Sequence, residues 1–152
     1  MRVIVAGTFD LLHIGHQQLL KEAFDIAGSS GTVLIGLTTD SFASRKSHPV
    51  SAYDIRKQNL VSWIAESGFG ASYHIEPLSD PFGPALTVDF DVLVVSYETY
   101  SAGEVINEKR RSAGLKTVEL HRVPCVFAED GKAVSTTRIY DGEITRFGSN
   151  RV

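Results

Sequence analysis

Three uninterrupted apolar segments constrain the fold of this chain more than any other feature of its sequence. Residues 3–5, 33–35 and 92–95 consist of valine, leucine and isoleucine, with no polar residue between them. A strand with one face in water alternates apolar and polar residues, whereas a continuous apolar strand suits a parallel sheet covered on both faces. Helical patterns separate the segments. The alternation predicts an α/β protein, with a Rossmann-like open parallel sheet and helices on both faces.

The helices can be placed from their spacing and end signals. The first is indicated by apolar residues at helical spacing between positions 19 and 27. The second is expected behind a capping box formed by Ser51 and Asp54. The third is expected to open at a similar pair, Ser101 and Glu104, and to close at Gly114.

Three further strands are expected at residues 73–75, 117–120 and 125–127. In open parallel sheets, ligands bind beyond the carboxyl ends of the strands, near the point where the strand order reverses. The residues that directly follow each apolar segment are therefore the candidates for function. We expect one domain over residues 1–152, in which 141–152 form a loosely ordered tail.

Composition excludes several classes of protein. The chain has 152 residues, 15 lysines and arginines against 18 acidic residues, and a net charge of −3, which disfavours nucleic-acid binding through a general basic face. A single cysteine excludes an internal disulfide and a multi-thiolate metal site. No apolar stretch approaches the roughly 18 residues of a membrane span, and the start does not resemble a signal peptide. We therefore expect a cytoplasmic protein that binds neither nucleic acid nor membrane.

The segment after the first strand carries the strongest functional signal. It contains Gly7, Gly15 and two histidines, His13 and His16, at the start of the first helix. Unpaired backbone N–H groups and the positive end of the helix dipole favour phosphate at such a place, and imidazole N–H groups add donors. The alternative is a turn glycine with two capping or solvent-facing histidines. A zinc site at the histidine pair is disfavoured because cysteine or carboxylate companions are missing.

Gly-Thr-Phe-Asp at residues 7–10, followed by His-Ile-Gly-His at 13–16, resembles the nucleotidyltransferase superfamily with the HIGH-type signature. That superfamily includes cytidylyltransferases and the adenylyltransferases of nicotinamide mononucleotide and phosphopantetheine. Its second signature, a serine- and threonine-rich helix start near the chain end, is matched by Ser135, Thr136, Thr137 and Arg138. Alone, such a cluster is usually a helix cap. Together with the first motif, it implies a site for the triphosphate of a nucleotide.

The middle of the chain resembles the phosphopantetheine adenylyltransferases of the archaeal and eukaryotic type. The resemblance rests on residues 80–84 and 95–100, then on Asn107, Arg110 and residues 114–115. It also rests on Ser-Arg-Lys at 44–46 followed by Tyr53 and Arg56. Tyr97 departs from the family pattern, in which an acidic residue is expected. Arg56, like Lys46, has an ordinary surface role as its alternative.

The resemblance implies the site. His16 would donate to the α-phosphate, Thr8 would position the acceptor phosphate or the α-phosphate, and Lys46 would screen the repulsion between the two anions. His13 would help to hold the nucleotide phosphates. The implied nucleotide-binding residues are Gly7, Phe9, Asp10, His13, Gly15, Glu98, Asn107, Arg110, Ser135, Thr136, Thr137 and Arg138.

The resemblance also implies the substrates, ATP and 4′-phosphopantetheine, with Mg²⁺ accompanying ATP through phosphate oxygens and water rather than a protein cage. Two alternatives stay open. One is another nucleotidyltransferase of the same fold, such as a cytidylyltransferase or an adenylyltransferase of flavin or nicotinamide mononucleotide. The other is a nucleotide-binding module without catalysis. The sequence does not indicate an oligomeric state.

Overall fold

Five parallel strands form the central sheet in the computed structural model. The structure describes residues 1–43, 50–124, 126–132, 134, 139, 142, 144, 145 and 147–149. The strands are β1 (Arg2–Gly7), β2 (Thr32–Thr38), β3 (Ser72–Leu78), β4 (Val92–Ser96) and β5 (Glu119–Val123). Their order is β3-β2-β1-β4-β5, so the chain turns to opposite sides of β1, and the strand order reverses between β1 and β4. The predicted open parallel sheet is confirmed.

Helices cover both faces of this sheet. The elements between strands are α1 (Ile14–Ala27), α2 (Asp40–Ala43), α3 (Tyr53–Ser67), a 3₁₀ helix (Gly83–Leu86) and α4 (Tyr100–Ser112). Val3 and Val5 point into a core with α1 and α3, whereas Ile4 points into a second core with α4 and the 3₁₀ helix. Successive strand residues thus lie on opposite sides of the sheet, and both sides are apolar. This double cover explains the uninterrupted apolar segments.

Helix α3 is not capped as the sequence predicts. Its N-cap is Ala52, which makes no side-chain capping bond, so the expected capping box at Ser51 is wrong. The carboxylate of Asp40 accepts a hydrogen bond from the N–H of Tyr53 at 2.8 Å instead. A side chain from the preceding helix thus supplies the oxygen that the local sequence was expected to supply.

The start of α4 differs for a similar reason. The helix begins at Tyr100, one residue before the predicted cap, Ser101, and its N-cap Thr99 makes no side-chain capping bond. The hydroxyl of Thr99 accepts instead from the N–H of Ser96 at 2.9 Å, which closes the turn after β4. Gly114, the predicted stop, follows the end of the helix and has φ +77°.

The strand predicted at residues 117–120 begins and ends later in the structure. The backbone of Val118 is hydrogen-bonded in both directions to the side-chain amide of Asn107, and β5 begins only at Glu119. Of the strand expected at 125–127, Phe127 lies in an isolated bridge, and residue 125 is outside the described residues. Ile144, within the segment expected to be loose, is fully buried against Ala128 and Val134. Within the described part of the chain, no helix has the length and apolar character that crossing a bilayer requires.

Candidate active site

The loop between β1 and α1 lies at the carboxyl edge of the sheet, where the strand order reverses. Phe9, Leu11 and Leu12 have positive φ angles of 50°, 62° and 41°. Such angles are costly for residues with a side chain, and they cluster at functional sites where the surrounding structure enforces them. The ring of Phe9 is buried and would lie 3.2 Å from a Cβ at residue 7, which explains glycine there. The loop is a strained turn at the edge of the sheet where folds of this kind bind ligands.

His13 caps helix α1 with its side chain. Its Nδ1 accepts from the backbone N–H of Gly15 at 3.0 Å and of His16 at 3.3 Å. Because Nδ1 accepts, a neutral imidazole carries its proton on Nε2. Burial lowers the pKa of His13 from 6.5 to about 4. At neutral pH, His13 is therefore an uncharged ring with a single N–H donor.

His16 stacks on His13 in the first turn of the helix. The ring centroids are 3.6 Å apart and the planes are inclined by 16°, while Phe9 meets His16 edge-on at 5.4 Å. His16 is partly exposed, whereas His13 and Phe9 are buried. A Cβ at Gly15 would lie 2.8 Å from the His13 ring, so glycine leaves room for this stack. The two histidines thus lie on one face of the first turn, as residues three apart on a helix do.

Thr8 is held by contacts with two neighbouring elements. Its hydroxyl oxygen accepts from Thr38, at the end of β2, at 2.9 Å, and its backbone carbonyl accepts from Arg56 of α3 at 3.0 Å. Arg56 also donates to the hydroxyl of Thr38 at 3.3 Å and is only 1% exposed. The alternative of a surface arginine is therefore wrong, and Arg56 supports the site from behind.

Neither Arg56 nor Thr38 was predicted as a site residue, although the sequence carries a signal for both. Arg56, Leu60 and Ile64 recur every four residues, and they are the buried residues of α3. Thr38 is the last residue of β2, beside the end of β1. A charged residue in an apolar stripe and a hydroxyl at the carboxyl edge of a strand together mark a buried polar contact.

Asp10 and Glu98 lie in connections that follow strands at the same edge. Asp10 is 2% exposed in the strained loop. Glu98 follows β4 and is exposed, and its carboxylate accepts from the hydroxyl of Tyr97 at 2.8 Å. The expected contacts of both residues with a nucleotide stay predictions.

Two predicted nucleotide-binding residues have a different role. Asn107 bonds the backbone of Val118, and Arg110, 2% exposed, donates to the carbonyls of Ala85, Val88 and Lys116 at 2.8–3.0 Å. These carbonyls precede β4 and β5, at the amino edge of the sheet, opposite the loop of Thr8. Both side chains are used to hold connections together, so their assignment to the nucleotide is corrected.

The other predicted residues are Lys46, Ser135, Thr136, Thr137 and Arg138, which lie outside the described residues. Among the residues that are described, no three histidine, cysteine or acidic side chains are grouped so that they could hold a metal ion. A cleft of about 610 Å³ opens beside the loop. Its walls include Leu11, Leu12, Gln17, Trp63, Thr145 and Phe147.

Comparisons with known proteins identify the family of this chain. The model of the cytidylyltransferase-like family matches residues 4–141. The phosphopantetheine adenylyltransferase of Methanosarcina mazei is 45% identical over 97% of this chain and 95% of its own, and that of Archaeoglobus fulgidus is 38% identical over 97% and 98%.

A solved structure gives the same result for the fold. A crystal structure of a protein with unknown function from Archaeoglobus fulgidus superposes with a TM-score of 0.74 and 34% identity, covering 81% of this chain and 89% of that one. Similarity to the enzymes extends over nearly their whole length. The chain therefore belongs to the cytidylyltransferase-like family and, within it, to the phosphopantetheine adenylyltransferases of the archaeal type.

Proposed function

We propose that this chain transfers the adenylyl group of ATP to 4′-phosphopantetheine, giving dephospho-coenzyme A and pyrophosphate. The observation that carries the transfer chemistry is the set of donors at the carboxyl end of β1: Thr8, His13 and His16 on one strained loop and helix start. The acceptor rests on the near full-length similarity to archaeal enzymes with that name.

The reaction needs alignment more than proton transfer. An oxygen of the acceptor's phosphate monoester attacks the α-phosphorus of ATP. The bond between the α-phosphorus and the oxygen that bridges it to the β-phosphate breaks, and pyrophosphate leaves. The monoester is already anionic at neutral pH, so no general base is required. The protein must bring two anions together and stabilise charge on the pentavalent transition state.

The histidine pair fits that task. His13 is uncharged at neutral pH and presents one N–H donor, because its other nitrogen caps the helix. His16, stacked on it and partly exposed, donates to the α-phosphate as charge develops there. The positive end of the helix dipole at the start of α1 acts in the same direction. His13 holds the nucleotide phosphates, and Thr8 holds the acceptor phosphate or the α-phosphate.

The remaining roles are assigned from the family resemblance. Lys46 screens the repulsion between acceptor and nucleotide, while Ser135, Thr136 and Arg138 hold the departing pyrophosphate. Mg²⁺ enters with ATP as part of the substrate. The ion would be held by phosphate oxygens and water, where it neutralises phosphate charge.

Pyrophosphate release tests the proposal. The protein is supplied with MgATP or MgCTP and with 4′-phosphopantetheine, flavin mononucleotide or nicotinamide mononucleotide. We expect release with ATP and 4′-phosphopantetheine, and we expect His16→Ala to reduce turnover about a hundredfold or more, as for loss of one transition-state donor. His74→Ala, at an exposed histidine of β3, is the matched control and should leave turnover unchanged.

Other outcomes distinguish the alternatives. Release with another acceptor, or only with CTP, would keep the chemistry and discard the substrate. ATP binding without turnover on any acceptor would indicate a binding module. Normal turnover by folded His16→Ala protein would remove His16 from the mechanism.

A further inference from the structure

The side chains of Arg56, Thr38 and Thr8 form a chain of hydrogen bonds that ends at the candidate phosphate site. We propose that Arg56 and Thr38 are positioning residues, which fix the direction of the Thr8 hydroxyl so that it can only donate to the bound phosphate. The proposal rests on the proposed function, because it assigns a partner to Thr8. It adds to the site two residues that do not themselves touch the ligand.

The direction of each bond follows from chemistry. A guanidinium group has only donors, so Thr38 Oγ1 must accept from Arg56 Nη1 at 3.3 Å. The single proton of Thr38 is directed to Thr8 Oγ1 at 2.9 Å. Thr8 therefore uses its oxygen as an acceptor inside the protein. No contact within the described ranges takes the proton of Thr8, which is left for a partner at the edge of the sheet.

Arg56 is fixed well enough to set this direction. Its Nε donates to the carbonyl of Ser51 at 2.7 Å and its Nη2 to Asp40 at 3.1 Å, while Nη1 also donates to the carbonyl of Thr8 at 3.0 Å. One guanidinium thus joins the ends of β1 and β2 to the start of α3. Because it is 1% exposed, water cannot readily replace these contacts.

The orientation suits an anionic ligand. The oxygens of an ionised phosphate accept hydrogen bonds and do not donate them. A hydroxyl with no neighbour can rotate between accepting and donating, and only the second orientation binds phosphate. Because the hydroxyl oxygen of Thr8 already accepts from Thr38, the Thr8 hydroxyl is oriented to donate before the ligand binds. Preorganisation of this kind is needed where charge develops in a transition state.

A double-mutant cycle between Thr8 and Thr38 tests the proposal. Thr38→Val keeps the shape and removes the hydroxyl, and Thr38→Ser keeps the hydroxyl as the matched control. We expect Thr38→Val to lower kcat/KM for 4′-phosphopantetheine about tenfold, the scale of one hydrogen bond to a charged group. In a Thr8→Val background, the same substitution should have no further effect, and Thr38→Ser should retain most of the activity.

Additive losses would overturn the proposal, since Thr38 would then act on something other than Thr8. So would a Thr38→Ser protein as impaired as Thr38→Val, because a hydroxyl alone should suffice. A general loss of structure would also lower activity in the Thr8→Val background and is therefore recognised by the same cycle. If Thr38→Val does not fold, Thr38→Cys carries the cycle with a side chain of similar size and a weak donor.

Binding measurements separate this proposal from the proposed function. The four proteins of the cycle are the wild type, Thr8→Val, Thr38→Val and the double variant. Their affinities for ATP and, separately, for 4′-phosphopantetheine are measured by calorimetry without turnover. If the wild type releases no pyrophosphate with any acceptor, the function is wrong. Coupling between Thr8 and Thr38 in the affinity for either phosphate ligand would then still support the orientation of Thr8, and additivity for both ligands would refute it.

Discussion

Acidification should unfold this protein partly through one buried histidine. Burial lowers the pKa of His13 from 6.5 to about 4 in the folded protein. Its Nδ1 is occupied as an acceptor of two backbone N–H groups, so a proton on that nitrogen would remove the cap of α1. The unfolded chain has no such restriction and takes up a proton near pH 6.5.

The sign and size of the effect follow from these two values. Because the unfolded state binds the proton more readily, the stability due to neutral His13 is complete above pH 6.5 and is lost as the pH falls towards 4. The difference between the two pKa values corresponds to about 3 kcal/mol in total. By pH 5, where the folded state is still mostly neutral at His13, about 2 kcal/mol has been lost.

His13→Asn isolates this contribution, because asparagine can accept at the helix N-cap and does not titrate. The free energy of unfolding is measured by urea titration at pH 7 and pH 5 for both proteins. We expect the wild type to lose about 2 kcal/mol more than the variant between these pH values. The comparison cancels the titration of the other histidines. The comparison also cancels the contribution of Glu22, which is present in both proteins. Burial raises the pKa of Glu22, but hydrogen bonds from His121 and Gln18 outweigh this effect and hold the pKa below its usual value.

Equal losses in wild type and variant would refute the reasoning, since His13 would then titrate alike in the folded and unfolded chains. Titration of the His13 ring by NMR gives an independent result. A midpoint near 6.5 in the folded protein would mean that the ring is neither desolvated nor committed to the cap.

Two further substitutions test the site and the corrected residues. Gly15→Ala should lower turnover at least tenfold, because its Cβ would lie 2.8 Å from the His13 ring and displace the stacked histidines. Gly103→Ala in α4 is the control. Equal activity of the two variants would contradict this prediction. Arg110→Met should lower the free energy of unfolding by about 2–4 kcal/mol, because the buried carbonyl of Ala85 and the carbonyls of Val88 and Lys116 lose their donor. It should leave the KM for ATP unchanged. A raised KM in a folded Arg110→Met protein would restore Arg110 to the nucleotide site.

The parts of the fold that follow from periodicity could be predicted. Continuous apolar strands indicated a sheet covered on both faces, and the β1–α1 motif indicated the family, which the comparisons confirm. The phosphate site at that motif stays a prediction. The starts of α3 and α4 could not be predicted. The capping oxygen of α3 comes from another element, and the hydroxyl at the N-cap of α4 bonds elsewhere. Asp40, thirteen residues from Tyr53 in sequence, caps α3, and Thr99 bonds Ser96 instead of its own helix. Local signals fail where a residue distant in sequence is the better partner.

The two buried arginines show which additional sequence feature is needed to predict the role of a buried charged residue. Arg56 and Arg110 both belong to the buried stripe of a helix, so periodicity predicts burial for each but not its role. The role depends on the turn in which each residue lies. In a right-handed β-α-β connection, the helix starts at the carboxyl edge of the sheet and returns to the amino edge.

Arg56 lies in the first turn of α3 and therefore reaches the edge where ligands bind, whereas Arg110 lies in the last turn of α4 and reaches the opposite edge. Arg56 donates to two backbone carbonyls, a hydroxyl and a carboxylate, and Arg110 donates to three backbone carbonyls. Each buried charge thus has the hydrogen-bond partners that it requires. Only at the carboxyl edge does that arrangement also control a side chain of the site. Position within the helix, added to the apolar stripe, would have separated the arginine that supports the site from the one that supports the fold.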